Sequence, residues 1–289
     1  MKADGEFDEI NEAKASMDHI YDQPDPRAYF SELRKLHYNI PGAAKPIFET
    51  LISRLRRRRD EQVRVLDLGC SYGVNAALLK HDLTMPDLYD HWGQQRFDHA
   101  SPDEVVEYDK RFFGNLAEDE DLEVIGLDQA ESALEFAEDV GLLDESLAVN
   151  LETEPLPDSA KQDLAAVDLI VSTGCVGYVT EKTFERLLPA VLSGSPPWLA
   201  NFVLRMFPFD AIEAAVAERG YVTEKLEGRT FRQRRFASND ERQQVMDQLR
   251  DQGLDPATKE ADGYLHAEFY LSRPKADAAR MPIDQLLVV

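Results

Sequence analysis

Cysteine is scarce in this chain, and long apolar runs and metal-ligand clusters are missing. Only two cysteines, Cys70 and Cys175, occur in 289 residues, too few for a disulfide framework. Neither belongs to a Cys/His cluster with metal-ligand spacing, so no metal site is predicted. The first forty residues are rich in acidic side chains and contain no apolar core segment. We therefore expect no signal peptide, no membrane association and a cytoplasmic location.

Basic residues are few compared with acidic ones. Lys and Arg number 32 against 55 Asp and Glu, which gives a formal net charge of −23. Such a charge repels nucleic-acid backbones and anionic membranes at long range, so a nucleic acid partner is disfavoured. Abundant acidic side chains also fit a salt-rich cell, where screening relieves their mutual repulsion, and this origin stays open.

The most informative segment is 63–79, VRVLDLGCSYGVNAALL, in which an apolar run passes through a glycine-bearing turn into helix-forming sequence. The run is typical of a parallel strand buried on both faces, with Asp67 near the carboxyl end, where open α/β sheets bind ligands. Gly69 and Gly73 allow a tight turn and close approach to a ligand, and the first N–H groups of the helix face the same place.

This pattern resembles the first motif of the class I S-adenosylmethionine-dependent methyltransferases, acidic-x-Gly-x-Gly-x-Gly. Here it reads Asp67, Gly69, Ser71 and Gly73, with Ser71 where the family has its middle glycine. The spacing does not fit the dinucleotide loop G-x-G-x-x-G. The resemblance implies S-adenosyl-L-methionine as cofactor. The alternative is a tight strand-to-helix turn that binds no ligand.

The resemblance implies further cofactor contacts after the next strands. Asp128 follows the predicted strand 123–127, where the family has an acidic residue that accepts hydrogen bonds from both ribose hydroxyls; the alternative is an ordinary helix N-cap. After the strand 146–151 the family presents a polar group to the adenine amine and an apolar one to its ring. The residues predicted to bind the cofactor are Asp67, Gly69, Cys70, Ser71, Gly73, Asp128, Gln129, Asn150, Leu151 and Thr173.

Helical and strand-like stretches alternate along the chain, separated by short turns that contain Pro or Gly. This alternation is typical of a doubly wound sheet. We expect an α/β, Rossmann-like fold with a mostly parallel, seven-stranded sheet. The resemblance implies that the terminal strand, 264–271, is antiparallel.

The same pattern predicts how the chain is divided. In the N-terminal part Pro41 is expected to end one helix and 46–58 to form the next. The predicted regions are a helical N-terminal cover at 1–59, a methyltransferase domain at 60–275 with insertions at 82–121 and 207–238 that add cap elements, and a C-terminal tail at 276–289.

Methyl transfer from a sulfonium is an in-line displacement, so an enzyme of this kind mainly positions a nucleophile and excludes water. A hydroxyl acceptor also benefits from a nearby base, whereas an amine or an enolisable carbon needs little more than orientation. For His37 the alternative is a surface hydrogen bond. The catalytic candidates, chosen by location, are Tyr29, His37, Tyr38 and Tyr178.

Arginines reverse the global charge locally near residue 232. Because guanidinium groups clamp carboxylates bidentately, we predict that Arg229, Arg232 and Arg235 bind an anionic substrate. Arg234 belongs to the same run. The alternative is that these arginines neutralise the acidic surface around them.

Three functions remain open. The first is methyl transfer from S-adenosylmethionine to a nitrogen, oxygen or carbon of a small molecule. The second is another reaction of that cofactor, either aminocarboxypropyl transfer or a cyclisation that releases methylthioadenosine. The third is a non-catalytic subunit that binds the cofactor. A homodimer is kept as a partner hypothesis, because the insertion at 82–121 is rich in aromatic residues.

Overall fold

The computed structural model describes residues 18–59 and 62–287. Its strands pair side by side into one sheet. The acidic stretch 1–17 and residues 60–61 and 288–289 lie outside the described residues. The strand Val63–Leu68 is buried along almost its whole length, as a parallel strand covered on both faces must be. The strands are β1 (Val63–Leu68), β2 (Leu122–Asp128), β3 (Glu145–Ala148), β4 (Leu169–Thr173), β5 (Trp198–Leu204), β6 (Tyr221–Lys225), β7 (Phe231–Arg235) and β8 (Tyr264–Pro274).

Helices alternate with the strands along the chain and pack against the sheet. They are α1 (Arg27–Lys35), α2 (Ile40–Arg59), α3 (Val74–Lys80), α4 (Met85–Trp92), α5 (Pro102–Phe113), α6 (Glu131–Asp139), α7 (Lys161–Leu164), α8 (Glu181–Val191), α9 (Asp210–Ala217), α10 (Asn239–Asp251), α11 (Lys275–Arg280) and α12 (Ile283–Leu286). Within the described residues, none of these helices is long and apolar enough to cross a membrane.

The strand order is β3-β2-β1-β4-β5-β8-β6, with β7 also paired to β8. Strands β1 to β5 are parallel, and β8 runs antiparallel to β5. This confirms the expected mostly parallel, Rossmann-like fold with its antiparallel terminal strand. Polar loops at the carboxyl ends of β1, β2 and β4 therefore meet at one edge.

The sheet has eight strands in the described residues, not the expected seven. The difference comes from the segment after β5, which contributes two strands to the same outer edge of β8. Strand β6 pairs with the end of β8 and β7 with its beginning. Because β8 is eleven residues long, it accommodates both partners side by side, and much of the expected cap at 207–238 becomes sheet.

The N-terminal helices differ from the sequence prediction at Pro41. This residue lies in the first turn of α2, whose backbone N–H groups need no helical partner, so a proline there starts the helix. The preceding helix ends earlier, before His37, which has a left-handed φ of 55°. Pro46 lies inside α2, and the Thr50 hydroxyl donates to its carbonyl at 2.8 Å.

The insertion packs against the N-terminal cover. Phe30 of α1 stacks on Trp92 of α4 with 4.0 Å between ring centroids. The Tyr89 hydroxyl donates to the Tyr38 carbonyl at 2.6 Å, and the Arg27 guanidinium donates to the Phe97 carbonyl at 2.6 Å. The aromatic residues of the insertion thus fix α1 against the main body of the chain.

Candidate functional site

Three residues of the turn after β1 have a left-handed backbone conformation. Gly69, Ser71 and Gly73 all have positive φ values, of 73°, 48° and 71°. Glycine is favoured there because an L side chain strains this conformation. A Cβ at Gly69 would come within 2.7 Å of the Cys175 Cβ, so the loops after β1 and β4 are in close contact. Ser71 adopts the left-handed conformation without being glycine, and its buried Oγ has no hydrogen-bond partner in the described part of the chain.

Asp128 at the end of β2 closes this turn. Its Oδ2 accepts the Ser71 backbone N–H at 2.9 Å, and its Oδ1 accepts the Ala130 N–H at 3.1 Å. Burial raises the pKa of this carboxyl, although the backbone donors oppose the shift. A carboxylate offers about four acceptor positions, and the N–H groups of Ser71, Ala130 and Gln129 face this one, so at least one position remains for another donor. The N-cap alternative is wrong, because α6 begins at Glu131 with Ala130 as its N-cap and no side-chain cap hydrogen bond. The Asp128 carboxylate instead ties β2 to the loop after β1.

Asp67 is completely buried at the end of β1. Its Oδ1 accepts from the Asn75 Nδ2 at 2.9 Å, and the same amide donates to the Thr173 Oγ1 at 3.2 Å. The Oδ2 of Asp67 has no hydrogen-bond partner among residues 18–59 and 62–287. Burial, opposed by the Asn75 hydrogen bond and reinforced by Asp128, raises the pKa of Asp67 to about 7. The unpaired oxygen is suited to a cationic ligand group.

Three predicted cofactor residues lie after β2 and β3. The Asn150 Nδ2 donates to the Gln129 Oε1 at 2.8 Å, and the Asn150 Oδ1 accepts the Glu152 N–H at 3.0 Å. The two side-chain amides are therefore neighbours, as a polar site for a heterocycle requires. Leu151 is 2% exposed, so its side chain packs within the fold.

The two cysteines contact different glycines near the turn after β1. The Cys70 Sγ lies 2.8 Å from the place that a Cβ on Gly126 of β2 would take, and burial strongly raises the pKa of its thiol. Cys70 therefore packs against β2 as a neutral thiol. Cys175 is half-buried beside Gly69.

Tyrosines from the N-terminal cover lie over the turn. The Tyr72 hydroxyl accepts the Gln23 N–H at 2.8 Å and donates to the Gln23 carbonyl at 3.0 Å. The Tyr29 ring is edge-on to both Tyr72 and Tyr38, at 5.5 and 6.2 Å. Burial raises the pKa of Tyr29 and Tyr38, and nearby Asp67 adds to the shift at Tyr38. These phenols stay neutral at ordinary pH.

The other two catalytic candidates occupy the rim. His37 is exposed, and its Nδ1 lies 3.1 Å from the Tyr264 hydroxyl, which matches the surface alternative. Tyr178 follows β4 and is 42% exposed. The structure thus brings Tyr29 and Tyr38 toward Asp67 but leaves His37 outside that group.

Two of the predicted arginines, Arg232 and Arg235, lie on the exposed side of β7, and Arg229 lies in the turn before it. Arg229, Arg232 and Arg235 are exposed, and Arg232 pairs with Asp262 at 2.8 Å. Arg234 instead is 5% exposed and is paired with Glu241. The strand pairing is irregular between Arg232 and Arg235, and this β-bulge points Gln233 and Arg234 inward together.

Sequence reasoning missed Asn75, Gln233 and the inward direction of Arg234. Asn75 had a signal, since it is a polar side chain inside the apolar run that follows the glycine turn. The inward residues of β7 had none, because a bulge breaks the alternation by which strand faces are assigned. In the described part of the chain, no group of three or more His, Cys, Asp or Glu side chains is placed to hold a metal ion.

The chain matches no family model, and a search of curated proteins finds no significant match. Among solved structures it is similar to the plantazolicin methyltransferase BpumL in complex with a triazolic desmethylPZN analog and SAH, with 14% identity, coverage of 93% of this chain and 98% of that one, and a TM-score of 0.45. It is also similar to magnesium protoporphyrin IX methyltransferase from Synechocystis, with 11% identity, 79% of each chain covered and a TM-score of 0.36. A TehB-like SAM-dependent methyltransferase from Corynebacterium glutamicum has 14% identity over 76% of this chain and 86% of that one, with a TM-score of 0.35.

Proposed function

We propose that the chain transfers a methyl group from S-adenosylmethionine to a nitrogen, oxygen or carbon of a small molecule. The observation that carries the proposal is the pair of carboxylates at the ends of β1 and β2. The Asp128 carboxylate is oriented by the Ser71 and Ala130 N–H groups, and the buried Oδ2 of Asp67 lacks a hydrogen-bond partner in the described residues. A ligand with a ribose diol and an ammonium group satisfies both.

Residue roles follow from these positions. Asp67 binds the ammonium group, and Asp128 accepts from the ribose hydroxyls. Gln129 and Asn150, whose amides are hydrogen-bonded to each other, lie where the adenine edge would reach them. The cofactor's sulfonium supplies the methyl group, and the left-handed backbone at Gly69 and Gly73 shapes the turn beside Asp67.

The tyrosines then serve for positioning and for excluding water. Since burial raises the pKa of Tyr29 and Tyr38, neither is ionised near neutral pH, and neither acts as a strong base. Both can hold an acceptor by hydrogen bonds while the α1 cover keeps water out. This arrangement favours an acceptor that needs orientation more than deprotonation, such as an amine or an enolisable carbon.

The test is calorimetric titration with S-adenosylmethionine and S-adenosylhomocysteine in low and high KCl, since a charge of −23 calls for screening. Asp128→Asn is expected to weaken both ligands at least about tenfold, because it replaces a carboxylate acceptor with a donor against the Ser71 N–H. The matched control is Asp139→Asn, an exposed residue of α6, which should bind like the native protein. Absence of binding in both salts would refute the proposal.

Mass spectrometry of the incubated ligand without an acceptor separates the remaining alternatives. Unchanged S-adenosylmethionine supports methyl transfer and justifies an acceptor screen scored by S-adenosylhomocysteine release. Release of methylthioadenosine would favour aminocarboxypropyl transfer or cyclisation instead. Tight binding with no product from any acceptor in the screen would favour the non-catalytic subunit.

A further inference from the structure

Arg234 differs from the other arginines of β7 in its Nε group, because the Arg232 Nε donates to Asp262 and the Arg235 Nε to the Tyr264 hydroxyl. Its Nη1 donates to the Glu241 Oε2 at 2.9 Å and its Nη2 to the Glu241 Oε1 at 2.6 Å. The second Nη1 proton goes to the Arg235 carbonyl at 2.9 Å. Three of the five guanidinium N–H groups are thereby used. The two that remain, on Nε and Nη2, lie side by side and have no hydrogen-bond partner in the described part of the chain.

This edge is fixed in place before any ligand arrives. The Arg234 side chain is 6% exposed, as is that of Glu241, and Glu241 also accepts the Ala237 N–H at 2.6 Å. The backbone on either side is tied to the N-terminal cover, since the Asn39 N–H donates to the Gln233 carbonyl and the Arg235 N–H to the Leu36 carbonyl. A ligand that uses this edge pays little entropy to order it.

The surroundings of Arg234 place it beside the proposed acceptor space. Strand β7 runs parallel to β5, because both are antiparallel to β8, so Arg234 lies toward the sheet edge where β1 and β4 end. Its neighbour Gln233 contacts the turn after β4, where a Cβ on Gly174 would meet the Gln233 Nε2 at 2.2 Å.

Two exposed tyrosines flank the same arginine. Burial disfavours its charge, but the Glu241 ion pair outweighs this, and together with the phenols of Tyr21 and Tyr178 it holds the pKa of Arg234 above its ordinary value. Tyr21 and Tyr178 are 36% and 42% exposed. Tyr21 is edge-on to Tyr29 at 5.6 Å, which connects the surroundings of Arg234 to the tyrosines near Asp67.

We infer that the free Nε/Nη2 edge of Arg234 binds a carboxylate of the methyl acceptor, with the Tyr21 and Tyr178 rings beside it. A carboxylate matches two parallel N–H donors, and it places less negative charge beside Glu241 than a dianion would. The acceptor is thus a carboxylic acid with a planar or apolar body. This assignment rests on the proposed function for the word acceptor, but the anion site itself does not.

Benzoate is the probe, with benzamide as its uncharged counterpart and inorganic phosphate as the dianionic alternative. Native protein should bind benzoate at least about tenfold more tightly than benzamide, as expected for a charge-assisted bidentate contact. Arg234→Lys keeps the charge but loses the two-donor edge, and it should weaken benzoate at least about tenfold. Arg250→Lys, at an exposed arginine of α10, should stay within about twofold of the native affinity.

Equal benzoate affinity in the native protein and Arg234→Lys would overturn the inference, as would benzamide or phosphate binding as tightly as benzoate. If Arg234→Lys does not fold, the double variant Arg234→Met with Glu241→Leu replaces both partners by apolar groups, a change that buried ion pairs often tolerate. That variant should also lose benzoate. Titration of the native protein and of each folded variant with S-adenosylmethionine separates the two claims. If the native protein does not bind S-adenosylmethionine, the proposed function is refuted, whatever the result with benzoate.

Discussion

Asn75 holds Asp67 through a buried hydrogen bond of 2.9 Å from Nδ2 to Oδ1. The same nitrogen lies 3.2 Å from the Thr173 Oγ1, so one amide on α3 links the ends of β1 and β4. The second carboxylate oxygen of Asp67 is buried and has no hydrogen-bond partner within residues 18–59 and 62–287. Asn75 is thus a positioning residue for the carboxylate that we propose binds the cofactor's ammonium group.

Replacing Asn75 by Leu, which has a similar volume, removes this donor. A hydrogen bond to a charged group contributes about 1.5–3 kcal/mol, so we expect S-adenosylmethionine to bind about tenfold more weakly at pH 7. Calorimetric titration measures the change. The control is Asn115→Leu, at an exposed asparagine whose side-chain amide donates a hydrogen bond to the nearby Arg111 carbonyl. Equal affinities for both variants would show that Asn75 does not position Asp67.

Cofactor affinity should depend on pH near neutrality. Burial raises the pKa of Asp67 to about 7, and its ionised form is the one that attracts an ammonium group. We expect S-adenosylmethionine to bind more tightly as the pH rises from 6 to 8 and then to level off. Asp67→Asn should bind weakly at every pH in this range. A native affinity that is flat from pH 6 to 8 would contradict this assignment.

Stability should show the same titration without any ligand. The folded pKa of Asp67 lies above the unfolded value of 3.8, so the folded state holds the proton more tightly, and its advantage is lost as the pH rises through about 7. Asp67→Asn cannot ionise. Its unfolding free energy relative to the native protein should therefore increase between pH 4 and 8, as measured by urea denaturation.

Gly69 and Gly228 form a matched pair for testing close approach in the glycine turn. Both have positive φ, of 73° and 75°, but a Cβ at Gly69 meets the Cys175 Cβ at 2.7 Å, whereas one at Gly228 meets nothing within 4 Å. Gly228→Ala should cost about 1 kcal/mol of unfolding free energy from backbone strain alone. Gly69→Ala should cost more, about 2–4 kcal/mol, because the turns after β1 and β4 must separate. Equal losses would mean that the contact with Cys175 relaxes freely.

Structural features that depend on short stretches of sequence could be predicted, whereas those that depend on pairing between distant segments could not. The strand and turn at 63–73 and the position of Asp128 depend on local patterns of apolar residues and glycine, and the structure has them where expected. The fold was predictable for the same reason. The eighth strand was not, because the charged run FRQRR of β7 becomes a strand only by pairing with β8.

Partnerships between distant residues could not be predicted. Arg234 and Arg235 are adjacent in sequence, yet one is buried against Glu241 and the other is exposed near Tyr264, and the bulge that separates them leaves no mark in the composition. The aromatic insertion at 82–121 was predicted as a cap element, but its contact with α1 depends on Phe30 and Trp92, which are distant in the chain.

Asp109 explains how that insertion stays rigid. Its Oδ1 lies 2.6 Å from the His91 Nε2, and its Oδ2 accepts from the Trp92 Nε1 at 2.9 Å, with all three side chains buried. Arg96 approaches the other ring nitrogen of His91 at 3.3 Å. Since an arginine only donates, His91 carries its proton on Nε2, and Asp109 is an acceptor at both oxygens.

Asp109→Asn therefore sets an amide donor against one of two buried N–H groups. His91 could accept that donor only by moving its own proton to Nδ1, where it would face Arg96. The loss should be about 1–3 kcal/mol of unfolding free energy, the cost of one unsatisfied buried donor. Glu107→Gln changes an exposed carboxylate on the same helix and should cost under about 0.5 kcal/mol. Urea denaturation compares the two, and because Trp92 stacks on Phe30, protease cleavage within α1 should speed up only in Asp109→Asn. If both variants unfold like the native protein, Asp109 does not hold the insertion together.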